Sequence, residues 1–220
     1  MKSRTRRSLL AGGIAAVAGG GAWEWLHSRD DWRDRPTRLI GLDQDFDPST
    51  WKLSIVGLPH NWPAEVAGEE MGEPALSFNL EDIQLLPRVE IVAALNCLDA
   101  PHEAVRWAGA RFSDFLIKFH LGTRSGEPPD SAGRPEDLTR YVALETPGKG
   151  YYVGLEMAMA LHPRTLLCYE REGQPLTLEH GAPLRLIAPA EHGLKSIKRI
   201  GVIRFTDQLP ADYWAERGRA

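Results

Sequence analysis

The sequence predicts an α+β fold, and three observations carry that reading. Several segments alternate apolar and polar residues with the period of two that a half-buried strand requires: WKLSIVGL at 51–58, RVEIVAALNC at 88–97 and TLLCYEREGQPL at 165–176. Other short segments space their apolar residues for one face of a helix, as do Phe112, Phe115, Leu116 and Phe119. The two kinds are interspersed without the regular strand-helix-strand spacing of a parallel sheet.

Composition sets the size of that fold. The chain has 220 residues, 43% of them hydrophobic and 25% charged, with seven tryptophans, which is enough for one sizeable core but not for two ordinary domains. A net charge of -4 gives no basis for nucleic acid or an anionic membrane as partner, so any anion site must be local. Cys97 and Cys168 are the only cysteines, and neither a disulfide framework nor a zinc-ligand spacing is present.

The N-terminal 27 residues read as an address. A basic head precedes an apolar stretch of small residues at 8–22, and the pair Arg6-Arg7 before Ser8-Leu9-Leu10 resembles a twin-arginine export signal, with Leu9 where phenylalanine is usual. This predicts a periplasmic protein, with the signal either cut or kept as a membrane anchor. Residues 28–47 are polar and without periodicity, a linker. The domain proper is expected over 48–220.

Within it, 51–58 is a strand and the Pro- and Gly-containing stretch that follows, to Pro74, a loop. Asn79 is the cap of a short helix that Pro87 ends. The next strand places Val89, Ile91, Ala93 and Leu95 on one face and delivers Asn96 and Cys97 at its end. The phenylalanine helix is expected to stop at Gly122, followed by a Pro-, Gly- and charge-rich surface excursion at 123–137. A strand at 141–146, a helix at 155–161, and the strand at 165–171 turning at Glu172-Gly173 come next. The chain ends with PLRLIA, a turn at PAEHG, and SIKRIGVIRF, which together predict a hairpin.

That last region, HGAPLRLIAPAEHGLKSIK at 180–198, carries chemistry. Arg185, between Leu184 and Leu186, points away from the face that buries the leucines. His180, Lys195, Ser196 and Lys198 add an imidazole, two ammonium groups and a hydroxyl, donors that hold a phosphate without a P-loop. The residues alone leave two readings open: an anion site, or the basic outer face of an antiparallel hairpin. Cys97 is equally double, either a metal-binding thiolate at a strand end or a small buried hydrophobe.

Taken in order, the segments WKLSIVG, LNC, RWAGARFSDFL, YVALET, LLCYEREGQPL, HGAPLRLIAP, HGLKSIKRI and DYWAERG resemble the molybdopterin-binding domain of the sulfite oxidase family, including its methionine sulfoxide reductase-like branch. The resemblance spans about residues 48–218 and implies a single mixed-sheet domain that binds Mo-molybdopterin. It implies that Cys97 binds molybdenum and that His180 and Arg185 contact the pterin. Ser196, Ile197 and Lys198 would hold its phosphate end, and Thr146 would be a further cofactor contact. Cys168 has no family role and is expected in a buried strand.

Three departures bear on the substrate. The Gly-Asn-Arg-Arg run that follows the metal cysteine in sulfite-oxidising members is here CLDAPHEAVRW, so their anion-binding arginine is not in its place. Arg219 stands where their pocket tyrosine falls, either a counter-charge for the substrate or a frayed terminal residue. The family's C-terminal immunoglobulin-like domain has no counterpart before Ala220. The resulting expectation is oxygen-atom transfer on a sulfoxide or related S-oxide, with sulfite oxidation as the alternative. Without a haem motif in the chain, a separate cytochrome or membrane haem subunit would exchange the electrons. A cofactor-free or non-catalytic binding module with this fold is the alternative of another class.

Overall fold

In the computed structural model the described residues are 46–57, 68–70, 73–95, 104–189 and 195–218. Chain contacts separate Met1–Pro36 from Thr37–Ala220, and all of the described residues belong to the second unit. Its strands are β1 (Leu53–Val56), β2 (Gly68–Glu70), β3 (Glu73–Phe78), β4 (Arg88–Ala93), β5 (Val105–Arg111), β6 (Tyr141–Glu145), β7 (Tyr152–Glu156), β8 (Leu166–Arg171), β9 (Gln174–Pro175), β10 (Arg185–Ile187) and β11 (Val202–Thr206). Three short helices join them: α1 (Leu80–Gln84), α2 (Phe112–Lys118) and α3 (Met157–Ala160).

The strands form two sheets. One has the order β2-β3-β1-β11-β6-β7, the other β10-β8-β5-β4, with β9 paired to β8. The first is mixed, because β1 runs parallel to β11 and antiparallel to β3. The expected mixed-sheet α+β class is therefore what the chain forms. Both sheets bury one face in a shared core that contains Leu53, Ile55 and Leu144 from the first and Leu167 and Leu186 from the second, with Leu184 just before β10. Phe112, Phe115 and Leu116 of α2 fill it, with Phe115 and Phe119 each packed on Phe78 at ring distances of 5.1 and 4.5 Å. A second, smaller cluster covers the other face of the β8 sheet with Trp107, Cys168, Ile187 and Ala182.

Several local expectations hold with their mechanism visible. Asn79 caps α1 through Asp82 N–H at 2.9 Å, and the Asp82 carboxylate returns to Asn79 N–H at 2.8 Å. Glu172 and Gly173 both take positive φ, the tight turn expected between β8 and β9. The structure corrects others. The stretch before Pro74 is not all loop, since β2 and the start of β3 lie in it and pair antiparallel. Helix α2 ends one turn early: His120 adopts φ 53° and Leu121 N–H bonds back to Leu116 O at 2.9 Å, ahead of Gly122. Strand β7 runs through Glu156, so the helix expected from residue 155 begins only at Met157. Strand β5 has no counterpart in the alternation because Trp107, Ala108, Gly109 and Ala110 are all buried.

The largest correction concerns the expected C-terminal hairpin. Strand β10 pairs with β8 in one sheet, whereas β11 pairs with β1 and β6 in the other. Strand β11 is thus not the second arm of a hairpin with β10, and the chain passes from one sheet to the other between them. Ile200 N–H bonds Leu184 O at 3.0 Å, Leu186 N–H bonds Ile197 O at 2.9 Å, and the Trp51 indole N–H bonds Ile200 O at 2.8 Å. These bonds lay 196–200 alongside the start of β10 and fix its charged residues.

Candidate cofactor-binding site

Two short stretches meet here: the turn at 178–182 and the crossing at 196–199. Gly181 is at φ 97°, and a Cβ on it would lie 2.8 Å from Lys198 Cβ and 3.0 Å from Lys198 Cα. The two backbones can approach this closely because glycine stands at the contact. Cationic side chains then take the turn's carbonyls one after another. Arg199 Nη2 donates to Leu178 O at 3.4 Å and its Nε to Ala182 O at 3.2 Å. Lys198 Nζ donates to Glu179 O at 2.9 Å, and Arg185 Nη1 to His180 O at 3.0 Å.

Arg185 points away from Leu184 and Leu186, as the sequence implies, but it is not on an outer face. It is 4% exposed. Its Nη2 donates to Ser196 O at 3.0 Å, and its guanidinium carbon sits 4.8 Å from the centre of the Trp107 ring. A buried arginine needs such partners, and the basic outer face of a hairpin is excluded. Ser196 is likewise buried, and its Oγ accepts from Ala188 N–H at 3.1 Å, which leaves the hydroxyl proton to donate. Ile197 is buried in the core, and its N–H bonds Lys195 O at 2.9 Å.

His180 reports the local field. Burial lowers its pKa from the ordinary histidine value, and the charges of Arg171, Lys198 and Arg185 lower it further, against the opposing charge of Glu179. Thr177 Oγ1 lies 2.7 Å from Nδ1, and among the described residues Nε2 has no hydrogen bond. A neutral imidazole among cations, a buried serine hydroxyl and a close backbone approach form a donor set suited to an anionic, hydrogen-bonding ligand.

The remaining predicted residues are placed as follows. Lys195 turns away from this cradle: its Nζ bonds Asp212 at 2.6 Å and Gly154 O at 2.8 Å, so it ties the C-terminal segment to β7. Thr146 is buried at the end of β6, with Oγ1 donating to Tyr151 O at 3.2 Å and accepting from Tyr151 N–H at 3.0 Å. That reciprocal pair closes the loop 147–150, whose Pro147 packs against Gly201 beside the crossing. Cys168 is fully buried in β8, its thiol donating to Glu170 O at 3.2 Å. Burial pushes it up to about 11, so it stays a protonated, inert thiol at neutral pH. Cys97 and Arg219 lie outside the described residues. Among the described residues no three His, Cys, Asp or Glu side chains come together as a metal site.

Sequence reasoning missed three contributors. Trp107 supports Arg185 and donates its indole N–H to Ala93 O at 3.2 Å, near the end of β4. Arg199 clamps the turn, and Arg171 acts on His180. The charge of both arginines was visible in the sequence, but not their direction.

A two-sheet α+β domain with a buried cationic cradle at a crossing between its sheets defines a class of anion- or cofactor-binding domains. The family model described as oxidoreductase molybdopterin binding domain matches residues 42–214, and the chain belongs to that family. It is 31% identical over 183 residues to the protein-methionine-sulfoxide reductase catalytic subunit MsrP of Xanthomonas campestris pv. campestris, covering 80% of this chain and 53% of the relative. Mitochondrial sulfite oxidase of Homo sapiens is 27% identical over 195 residues, covering 79% of this chain and 32% of that protein. The chain thus spans about half the length of the curated MsrP relative, or less of the other. The fold is similar to that of the sulfane dehydrogenase SoxCD of Paracoccus pantotrophus, with a TM-score of 0.54 at 17% identity, over 75% of this chain and 40% of that one. The family's cofactor is molybdopterin, and the donor set at His180, Arg185, Ser196 and Lys198 fits its phosphate-bearing, hydrogen-bonding body.

Proposed function

We propose that this chain is a molybdopterin-dependent oxidoreductase that transfers an oxygen atom on a sulfoxide or related S-oxide. The observation that carries this reading is the convergence of His180, Arg185 and Lys198 on one turn, locked by Gly181 against Lys198. Bound there, the cofactor supplies a two-electron metal centre that exchanges an oxygen atom. The chain's part is to bind and orient. Arg185 sets a positive field for the pterin and Lys198 for the phosphate end, Ser196 offers a hydroxyl proton, and Trp107 keeps the Arg185 guanidinium in place. Cys97 is the thiolate we assign to molybdenum, from the family resemblance. The S-oxide is placed ahead of sulfite because CLDAPHEAVRW lacks the Gly-Asn-Arg-Arg run and because the MsrP relative is the more similar in sequence. Electrons would pass to or from a separate haem protein.

The test is metal analysis of the full chain from a molybdenum-replete, export-competent host, with sulfoxide and sulfite assays on one sample. Stoichiometric molybdenum and sulfoxide turnover are expected. Turnover of sulfite alone would transfer the assignment to the other substrate. A folded chain without molybdenum would make it a non-catalytic module. Cys97→Ser is expected to lose more activity than the roughly 10–100-fold that removing an outer-shell partner of a metal ligand costs; a variant that keeps metal and full activity would overturn the ligand assignment. We also propose export by the twin-arginine route, from the Arg6-Arg7 pair. Replacing both with lysine should leave the chain in the cytoplasmic fraction, and undiminished periplasmic protein would refute it.

A further inference from the structure

Arg171, at the end of β8, has no role in the family resemblance. Its two acidic neighbours in sequence are committed elsewhere. Glu170 takes Arg88 through two guanidinium nitrogens, at 2.6 and 3.2 Å, and Glu172 takes Arg106 at 3.1 Å. Among the described residues Arg171 has no carboxylate within ion-pair distance.

Its direction follows from a register shift. Strand β8 pairs Gly109 with Cys168 but Ala108 with Glu170, so Tyr169 is skipped and Cys168 and Arg171 face the same side. Arg171 therefore lies opposite Trp107, with its guanidinium carbon 5.9 Å from the ring that also carries Arg185 at 4.8 Å. The shift depends on Gly109, where a Cβ would come within 2.1 Å of Leu167 O. The half-buried Arg171 and the buried Arg185 thus share one indole, and both charges act on His180. An anion bound beside that imidazole is attracted by both.

We propose that Arg171 is a binding residue of this cradle, contributing its guanidinium to the phosphate end of the cofactor beside His180. The proposal rests on reading the cradle as the cofactor's phosphate site. Of the cations that act on His180, Arg171 is the one whose charged group, among the described residues, is bonded to no carbonyl or carboxylate, and so is ready to turn onto a phosphate oxygen. A charge-assisted bond of this kind changes affinity by roughly tenfold or more.

The experiment compares Arg171→Gln, Arg171→Lys and Lys198→Gln with the wild-type full chain loaded with cofactor. The readout is the rate of cofactor release, followed by fluorescence of the freed, oxidised pterin at low and high salt. Arg171→Gln should release roughly tenfold faster at low salt, with a smaller salt dependence, and Arg171→Lys should recover part of the loss. A purely structural role would change the melting temperature without changing the salt dependence. Acceleration in Lys198→Gln but not in Arg171→Gln would overturn the proposal and leave the phosphate site standing. No change in either would overturn the phosphate site and the proposal with it. If Arg171→Gln does not load, Arg171→Lys decides: loading supports the charge, and failure of both counts against it.

Discussion

At the scale of single residues, His180 shows how this site is tuned. Its pKa is lowered by burial and by Arg171, Lys198 and Arg185, with Glu179 opposing. As pH falls through the unfolded value of 6.5, the unfolded chain takes up a proton before the folded one does, so this residue's contribution to stability is lost below that point. An anion beside the imidazole reverses the preference. Binding of sulfate, whose charge is constant over this range, should therefore tighten as pH drops from 8 to 6, with uptake of a proton by calorimetry in buffers of different ionisation heat. An affinity that is flat with pH would place the anion away from His180. Cys168 illustrates the other fate of a reactive side chain: with its thiol pushed up to about 11 by burial, it is packing. Its type could be read from the sequence. Its role was settled by the strand in which it sits.

At the scale of elements, the turn at 178–182 and the crossing at 196–199 act as one part. Gly181→Ala brings a Cβ to 2.8 Å from Lys198 Cβ at φ 97°, a conformation that costs an alanine about 1–2 kcal/mol before any clash. The expected result is a loss of about 2 kcal/mol or more in denaturant unfolding, with weaker anion binding. Unchanged affinity in the destabilised variant would show that the two stretches are not coupled. The same scale explains what periodicity missed. Strand β5 escaped because both its faces are covered, and β1, expected as half-buried, is buried at all four positions because Leu53 and Ile55 enter the main core while Val56 packs with Ala75 and Val202. Alternation marks half-buried strands such as β4, where Val89 and Ile91 are partly buried and Glu90 exposed. It is silent where both faces are packed.

At the scale of the whole molecule, the chain passes from β10 in one sheet to β11 in the other, and one core contains side chains from both. Unfolding should be a single cooperative transition, raised as one unit when cofactor is bound, because a ligand that binds only the folded state adds its free energy to the whole. Scanning calorimetry of loaded and cofactor-free chain checks this, and two separate transitions would contradict it. The sequence by itself determined the α+β class, the cap at Asn79, the turn at Glu172-Gly173 and the residue types of the cradle. These depend on local backbone preference and on order along the chain, both written in neighbouring residues. Only the tertiary structure decided that β10 and β11 part into different sheets, that Arg185 is buried under Trp107, that Lys195 serves Asp212, and that a skipped Tyr169 turns Arg171 onto Trp107. Each of those outcomes is set by strand pairing between residues far apart in sequence, where one step of register reverses the face on which a side chain lies.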